Sequence, residues 1–273
     1  MNALSLFSLK NRTAVITGGT GVLGQSMVQA ISEAGANVAV IGRRKEAGDE
    51  LVAKLIKAGG KAISLKADVL EVDQLTAARQ AIINEFGSID ILVNAAGGNM
   101  PGAVVGPDSN FFNMKIDDFQ KVVNLNLLGS VLPTQVFSED MAKRKKGVII
   151  NIASMAAITT ITRVAGYSAA KSAIANFTAW LAVEMAHKYG EGIRVNAISP
   201  GFFLTEQNRT LLTNTDGSYT ERGQKVISKT PYGRFGRPEE LIGTLIWLCS
   251  DASAFVTGIN VPVDGGFSVY SGV

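Results

Sequence analysis

Thr13-Ala14-Val15-Ile16-Thr17-Gly18-Gly19-Thr20-Gly21-Val22-Leu23-Gly24 is a β-branched run that gives way to a glycine-rich turn. Behind the turn, Gln25 to Ala34 has helical period and stops at Gly35, a residue suited to the left-handed closing position of a helix. A strand passing through glycines into a helix lets backbone approach a pyrophosphate closely, with the negative charge facing the helix N-terminus. Gly18, Thr20, Val22 and Leu23 are the candidate cradle residues.

The same strand-then-helix unit recurs outward from there. Strands are expected at Thr13–Thr17, Asn37–Ile41, Lys61–Leu65, Ile89–Val93, Val148–Asn151, Arg194–Ser199 and Ile259–Val263. Helices are expected near Gln25–Ala34, Glu46–Lys57, Val72–Phe86, Asp117–Met141, Tyr167–Tyr189 and Glu239–Cys249. Alternation of this kind predicts an α/β fold with a mostly parallel sheet, and the nearly all-apolar first, fourth and fifth runs suit strands covered on both faces. No repeat or linker divides the chain, so residues 1–273 are read as one domain. Two segments, at about 97–115 and 201–238, are too long for simple connections and are expected to wall a substrate site.

Composition narrows the chemistry. The chain has 273 residues, 47% of them hydrophobic and 18% charged, enough apolar material for a sizeable core. Its 26 Lys and Arg against 23 Asp and Glu leave a formal charge of +3, too small and dispersed to imply nucleic acid or an anionic membrane. A small-molecule partner is expected. One Cys and one His exclude an intrachain disulfide and Cys/His metal clusters, so no metal is expected. The first residues lack a secretory pattern, and a cytoplasmic location is expected. The basic run Lys143 to Lys146 reads as a solvated helix end complementing the helix dipole, and His187 as a structural residue of an apolar-striped helix.

The second strand ends Ile41-Gly42-Arg43-Arg44, with no carboxylate to accept hydrogen bonds from an adenosine ribose. Arg43 can offer its planar fork to a 2′-phosphate, which favours NADP and keeps NAD open. Asp68 and Val69 follow the third strand, with Asp68 expected either at the adenine or in a helix cap. Asn94-Ala95-Ala96-Gly97 follows the fourth, with small residues where backbone must pass close to a cofactor.

Tyr167 and Lys171 are four apart at the start of a helix and share one face. Presenting a phenolate near neutrality requires about 3 to 4 kcal/mol of stabilisation. A unit charge about 4 Å away supplies on the order of 4 kcal/mol at an effective dielectric of 20, so an ammonium and an oxidised nicotinamide suffice. Ser154 lies just beyond the fifth strand, where its hydroxyl can hold a reacting oxygen.

In this order and spacing the motifs resemble the short-chain dehydrogenase/reductase family over nearly the whole chain. The resemblance implies a Rossmann-type, doubly wound, seven-stranded sheet flanked by helices, and a tetrad of Asn126, Ser154, Tyr167 and Lys171. It implies Tyr167 as general acid/base, Lys171 lowering its pKa and binding the nicotinamide ribose, Ser154 stabilising the oxyanion, and Asn126 holding a relay water. Asn94 and Gly97 resemble the family's Asn-Ala-Gly element. Pro200, Gly201, Phe203 and Thr205 resemble its nicotinamide-amide segment, and Val263-Asp264-Gly265-Gly266 its terminal element. Val22 stands where most single-domain members have the second glycine of the cradle, a spacing similar to the longer-chain branch. The family also implies homotetramers.

Within the family, Ala96 to Gly102, Pro200 to Arg209, Thr230 to Gly236 and Gly265 to Val273 resemble D-mannonate oxidoreductases (fructuronate reductases). That likeness implies hydride transfer between a nicotinamide dinucleotide and a sugar-acid ketone or alcohol, D-fructuronate/D-mannonate. A hexonate needs many polar donors and one cation. Asn99, Arg163, Gln207, Asn208 and Arg209 are the candidates, with one arginine expected at the carboxylate. The alternatives are a reductase of 5-ketogluconate or of 3-oxoacyl chains, and a non-catalytic dinucleotide-binding redox sensor.

Overall fold

The computed structural model describes residues 2–205 and 208–272. The strands are β1 (Thr13–Thr17), β2 (Asn37–Gly42), β3 (Ala62–Lys66), β4 (Ile91–Asn94), β5 (Gly147–Ile152), β6 (Ile193–Pro200) and β7 (Asn260–Val263). They form one seven-stranded sheet in the order β3-β2-β1-β4-β5-β6-β7, parallel throughout. The helices are α1 (Val22–Glu33), α2 (Lys45–Lys57), α3 (Val72–Phe86), α4 (Ile116–Val123), α5 (Gly129–Arg144), α6 (Ala165–Tyr189), α7 (Arg209–Leu212), α8 (Glu221–Ser228) and α9 (Ile242–Cys249).

The two-residue period of a strand sorts the core into two layers. Ala14, Ile16, Val38, Val40, Ile91, Val93 and Ile150 point to one face, where α1, α2 and α9 supply Met27, Ile31, Leu51, Leu245 and Leu248. Val15, Ala39, Ile41, Leu92 and Ile149 point to the other, against Leu75 and Ile82 of α3, Phe137 and Met141 of α5, and Leu181 and Met185 of α6. Both faces of the central strands are therefore dry, which is why those strands read as unbroken apolar runs. The strand order reverses between β1 and β4, and a crevice opens outside the carboxyl ends of the strands at that switch point.

Three of the differences from the sequence-based expectation bear on the site and have physical reasons. Helix α1 starts at Val22, three residues early, because Gly21 adopts an extended capping conformation (φ −77°, ψ 166°) directly after the turn. The single helix expected over Asp117–Met141 is α4 and α5 joined by a π-helical turn, Asn124–Leu128. Such an insertion re-aims side chains, and this one buries Asn126 completely. The long segment 201–238 holds two helices of its own; α8 is started by Thr220, whose hydroxyl accepts the Gly223 N–H at 3.1 Å. The basic run ends α5 as expected: Lys143 pairs with Glu139 at 2.7 Å and Arg144 with Asp140 and Asp90, each at 2.9 Å. His187 lies exposed near the end of α6. No described helix is long and apolar enough to cross a membrane.

Candidate active site

The crevice occupies about 440 Å³ and is walled by the strand ends: Gly18, Thr20, Val22 and Leu23 after β1, Arg43 and Arg44 after β2, Asp68 and Val69 after β3, and Ala95 to Gly97 after β4. Gly18 carries a positive φ of 67°, and a Cβ there would lie 2.7 Å from the Ala95 carbonyl oxygen. Only glycine fits. The Thr17 hydroxyl ties the two strand ends together by accepting the N–H groups of Ala95 and Ala96 at 3.2 and 3.3 Å. Gly21 caps α1 without a side-chain bond, which leaves the first N–H groups of the helix facing the crevice for an anion.

The two arginines after β2 divide the work. Arg44 folds back and donates to the Thr20 carbonyl at 3.0 Å, bracing the glycine turn. Arg43 is exposed on the crevice rim. Asp68 is half-buried, and its carboxylate accepts the Leu70 N–H at 3.0 Å, so it shapes the turn after β3 while lining the crevice. It does not cap α3, whose capping residue is Glu71. A cradle of glycine backbone, an open helix N-terminus and a cation beyond the second strand together fit a dinucleotide carrying phosphate charge.

The catalytic candidates gather where Gly97 leaves the crevice. A Cβ on Gly97 would sit 2.7 Å from the Asn126 Oδ1 and 3.5 Å from the Lys171 Nζ, so these two side chains close around that glycine. Lys171 is buried, donates to the Ile152 carbonyl at 2.7 Å, and lies 5.5 Å from the centroid of the Tyr167 ring. Ser154 follows β5 and accepts the Ala156 N–H at 3.2 Å, which fixes its side chain at the strand end.

Burial pushes the Tyr167 phenol above its ordinary value, while the Ser154 hydroxyl beside it acts in the opposite direction. Burial brings the Lys171 ammonium down to about 8. The depressed phenol expected from the Tyr-Lys spacing is thus not a property of these side chains by themselves. Desolvation outweighs the hydrogen bond, and Lys171 stands over the ring with its proton directed at a carbonyl.

Several other expected site residues are placed differently. Asn126 uses both amide protons on backbone, Gly98 O at 2.7 Å and Val122 O at 2.8 Å, and its Oδ1 accepts the Gly98 N–H at 3.3 Å. Its side chain clamps the loop, with no amide proton left to hold the expected water. Asn94 turns away from the crevice into the interior, donating to Thr134 and Asn151 at 2.9 Å each. It belongs to a buried polar chain that continues from Asn151 to Thr178 and stitches β4 and β5 to α5 and α6.

Among Pro200, Gly201, Phe203 and Thr205, only Thr205 lines the crevice. The Phe203 ring is buried in the core, and Gly201 is pressed against the chain at Asp264, where a Cβ would meet the Asp264 Cα at 2.6 Å. Asn208, expected at substrate, instead splints its own loop: its Oδ1 accepts the Thr205 N–H and its Nδ2 donates to the Phe203 carbonyl, each at 2.8 Å. Asn99 spends its Oδ1 on the Met100 N–H at 2.9 Å. Arg209 is exposed at the start of α7. Gln207 lies outside the described residues. Arg163 lines two cavities beyond the Ser154 turn.

Thr17, Arg44 and Leu125 were missed as wall or bracing residues. Of these, only Arg44 had a signal in the sequence, its place beside Arg43.

Comparison with known proteins agrees with this geometry. The family described as Enoyl-(Acyl carrier protein) reductase matches residues 20–268. The chain belongs to the short-chain dehydrogenase/reductase family. It is 46% identical over 275 residues to the oxidoreductase UxuB of Bacillus subtilis (strain 168), itself uncharacterized, covering 97% of this chain and 98% of that one. A solved structure from Haemophilus influenza, provisionally assigned as a D-mannonate oxidoreductase and holding NAD, is 44% identical with a TM-score of 0.91, covering 97% of this chain and 98% of that one. A gluconate 5-dehydrogenase from Burkholderia cenocepacia, solved with NADP and tartrate, is 33% identical with a TM-score of 0.87, covering 98% and 99%. The chain is accordingly an oxidoreductase of this family, acting on alcohol groups.

Proposed function

We propose that this short-chain dehydrogenase/reductase transfers hydride between a nicotinamide dinucleotide and the ketone or alcohol carbon of a sugar acid, with D-fructuronate and D-mannonate as the pair. The observation that carries the reading is the convergence of Ser154, Tyr167 and Lys171 beside Gly97, where the dinucleotide crevice ends. A bound dinucleotide would supply or accept the hydride. In reduction, Ser154 donates to the carbonyl oxygen and Tyr167 delivers its proton to that oxygen as the carbon takes the hydride. Lys171, anchored on Ile152, would hold the nicotinamide ribose and stabilise the phenolate that is left. Asn126 acts as a positioning residue, holding Gly98 and hence Gly97 against Lys171.

Gly18, Thr20, Val22 and Leu23 would hold the pyrophosphate, Asp68 and Val69 the adenine end, and Thr205 the nicotinamide end. Arg43 supports NADP over NAD, since Arg44 is committed to the turn and no carboxylate ends β2. The segments 97–115 and 201–238 form the substrate side of one catalytic domain. A homotetramer in the cytoplasm completes the proposal; Trp180 and Val183, 57% and 56% exposed on α6, offer apolar surface to another copy, and size-exclusion chromatography with light scattering measures the state.

The test follows absorbance of NADPH and NADH on mixing with D-fructuronate, 5-ketogluconate and a 3-oxoacyl thioester. Preferential oxidation with D-fructuronate is expected. Preference for the thioester would overturn the substrate, and dinucleotide binding without turnover on any ketone would overturn the enzyme.

A further inference from the structure

A second cavity of about 270 Å³ lies between the segment Thr160–Arg163 and α8, and it shares no lining residue with the crevice. Its charged lining is Arg163, Arg222, Lys225 and Lys229 with one carboxylate, Glu221. Glu221 is hydrogen-bonded to Lys225 and also feels the Arg163 charge, so one carboxylate is set against four cations and the lining stays net positive. Lys229 stands 5.7 Å from the Tyr270 ring centroid at the edge of the cavity.

The two arginines are held by the fold. Arg163 has φ 77°, in the left-handed region that a residue with a Cβ rarely adopts. Its carbonyl is pinned there by the Val105 N–H at 2.9 Å. Arg222 is half-buried near the start of α8 and reaches the Thr162 carbonyl at 3.4 Å. Burial first, and the Arg163 charge second, hold the Arg222 guanidinium below the usual arginine range. Two like charges kept together by backbone strain and partial burial are stabilised by an anion placed between them, and planar forks match a carboxylate best.

We propose that Arg163 and Arg222 together bind the carboxylate of the sugar-acid substrate, and that Arg222 on α8 is the residue by which this chain selects acids over uncharged sugars. The inference rests on the proposed function and names the recognition element within it. The segment carrying Arg163 runs from the Ser154 turn into the first turn of α6, so the guanidinium and the Tyr167 phenol leave the same short stretch of backbone, four residues apart. Thr160 and Thr162 on that segment add hydroxyls to the lining, in keeping with a polyhydroxylated ligand. Asn208 is not needed for recognition, because backbone occupies both its Oδ1 and its Nδ2.

Full-length wild type, Arg222→Gln and Arg222→Lys are compared in the ratio of kcat/KM for D-fructuronate over D-fructose, and in D-mannonate affinity by calorimetry with NADPH bound. Arg222→Gln is expected to lower the ratio at least tenfold through KM and to weaken D-mannonate at least tenfold; Arg222→Lys restores part of each, which a merely structural role would not do. NADPH affinity checks that each variant is folded. A ratio and an affinity untouched by Arg222→Gln contradict the site alone. No D-fructuronate turnover by wild type, with D-mannonate affinity still lowered by Arg222→Gln, contradicts the proposed reaction and leaves the carboxylate site standing.

Discussion

The crevice over β1 to β4 is walled by glycine backbone and strand ends, whereas the basic cavity against α8 is walled by long side chains from segments far apart in sequence. The strands behind the crevice are embedded in the two large apolar layers. Behind α7 and α8, among the described residues, lies a small cluster of Leu212, Val226 and Phe235, with Phe202, Leu204 and Ile227 packed at its edge. The difference separates a rigid part that places a cofactor from a lightly anchored part that places a substrate, the arrangement expected where binding must open and close.

The two regions meet at Tyr167 and Lys171, and the largest effects are expected where a substitution there separates turnover from dinucleotide binding. Tyr167→Phe is expected to lower kcat about 10³-fold with dinucleotide affinity kept, since the hydroxyl acts on substrate and the crevice is untouched. Stopped-flow rates paired with NADPH fluorescence titration check this, and a parallel loss of affinity would merge the two regions.

Lys171 gives the next effect. Its ammonium is brought to about 8 from 10.5 by burial, so the unfolded chain binds that proton more tightly than the folded one. Lys171 therefore opposes folding in full below about pH 8, and the cost fades as pH rises from 8 toward 10.5. Between pH 7.5 and 9.5 the dinucleotide-free wild type should gain about 2 kcal/mol relative to Lys171→Met in urea unfolding. No relative gain would mean that the lysine is wetter than its 4% exposure indicates.

Gly97→Ala is expected to reduce kcat by roughly tenfold or more, because the added methyl meets the Asn126 amide and approaches Lys171, and overpacking there costs about 1 to 3 kcal/mol. The smallest effect sharpens the cofactor side alone: Arg43→Ala should weaken NADPH by about tenfold and leave NADH within twofold, roughly the worth of one charged hydrogen bond at a rim. Equal effects on both would move NADP selection away from the end of β2.

The sequence was legible where structure follows from order along the chain. Seven strands, their parallel pairing and the glycine cradle could be read because apolar alternation and a strand-glycine-helix passage are local patterns. It was illegible where an amide or guanidinium has its partner chosen by tertiary neighbours. Asn94 and Asn208 carry the same functional group as a ligand-binding residue would, yet one bonds Thr134 and Asn151 and the other splints Thr205 to Phe203. Asn126 stood in the expected motif, but the π-helical turn that buries it is not signalled by any residue pattern. Arg222 lies in no motif, and only the packing of α8 against Thr162 brings it to Arg163. The Thr220 cap was a readable start signal for α8 that the expectation of a long loop passed over.

In the oxidation direction, Tyr167 becomes an effective proton acceptor only when the oxidised, positively charged nicotinamide is docked beside it. Ultraviolet difference titration of wild type against Tyr167→Phe, without and with saturating NADP⁺, isolates this one phenol from the other tyrosines. An ionisation above the ordinary value of 10 in the free protein, moving below it when NADP⁺ or NAD⁺ is bound, is the predicted result. A phenol whose titration is unmoved by either dinucleotide would contradict it.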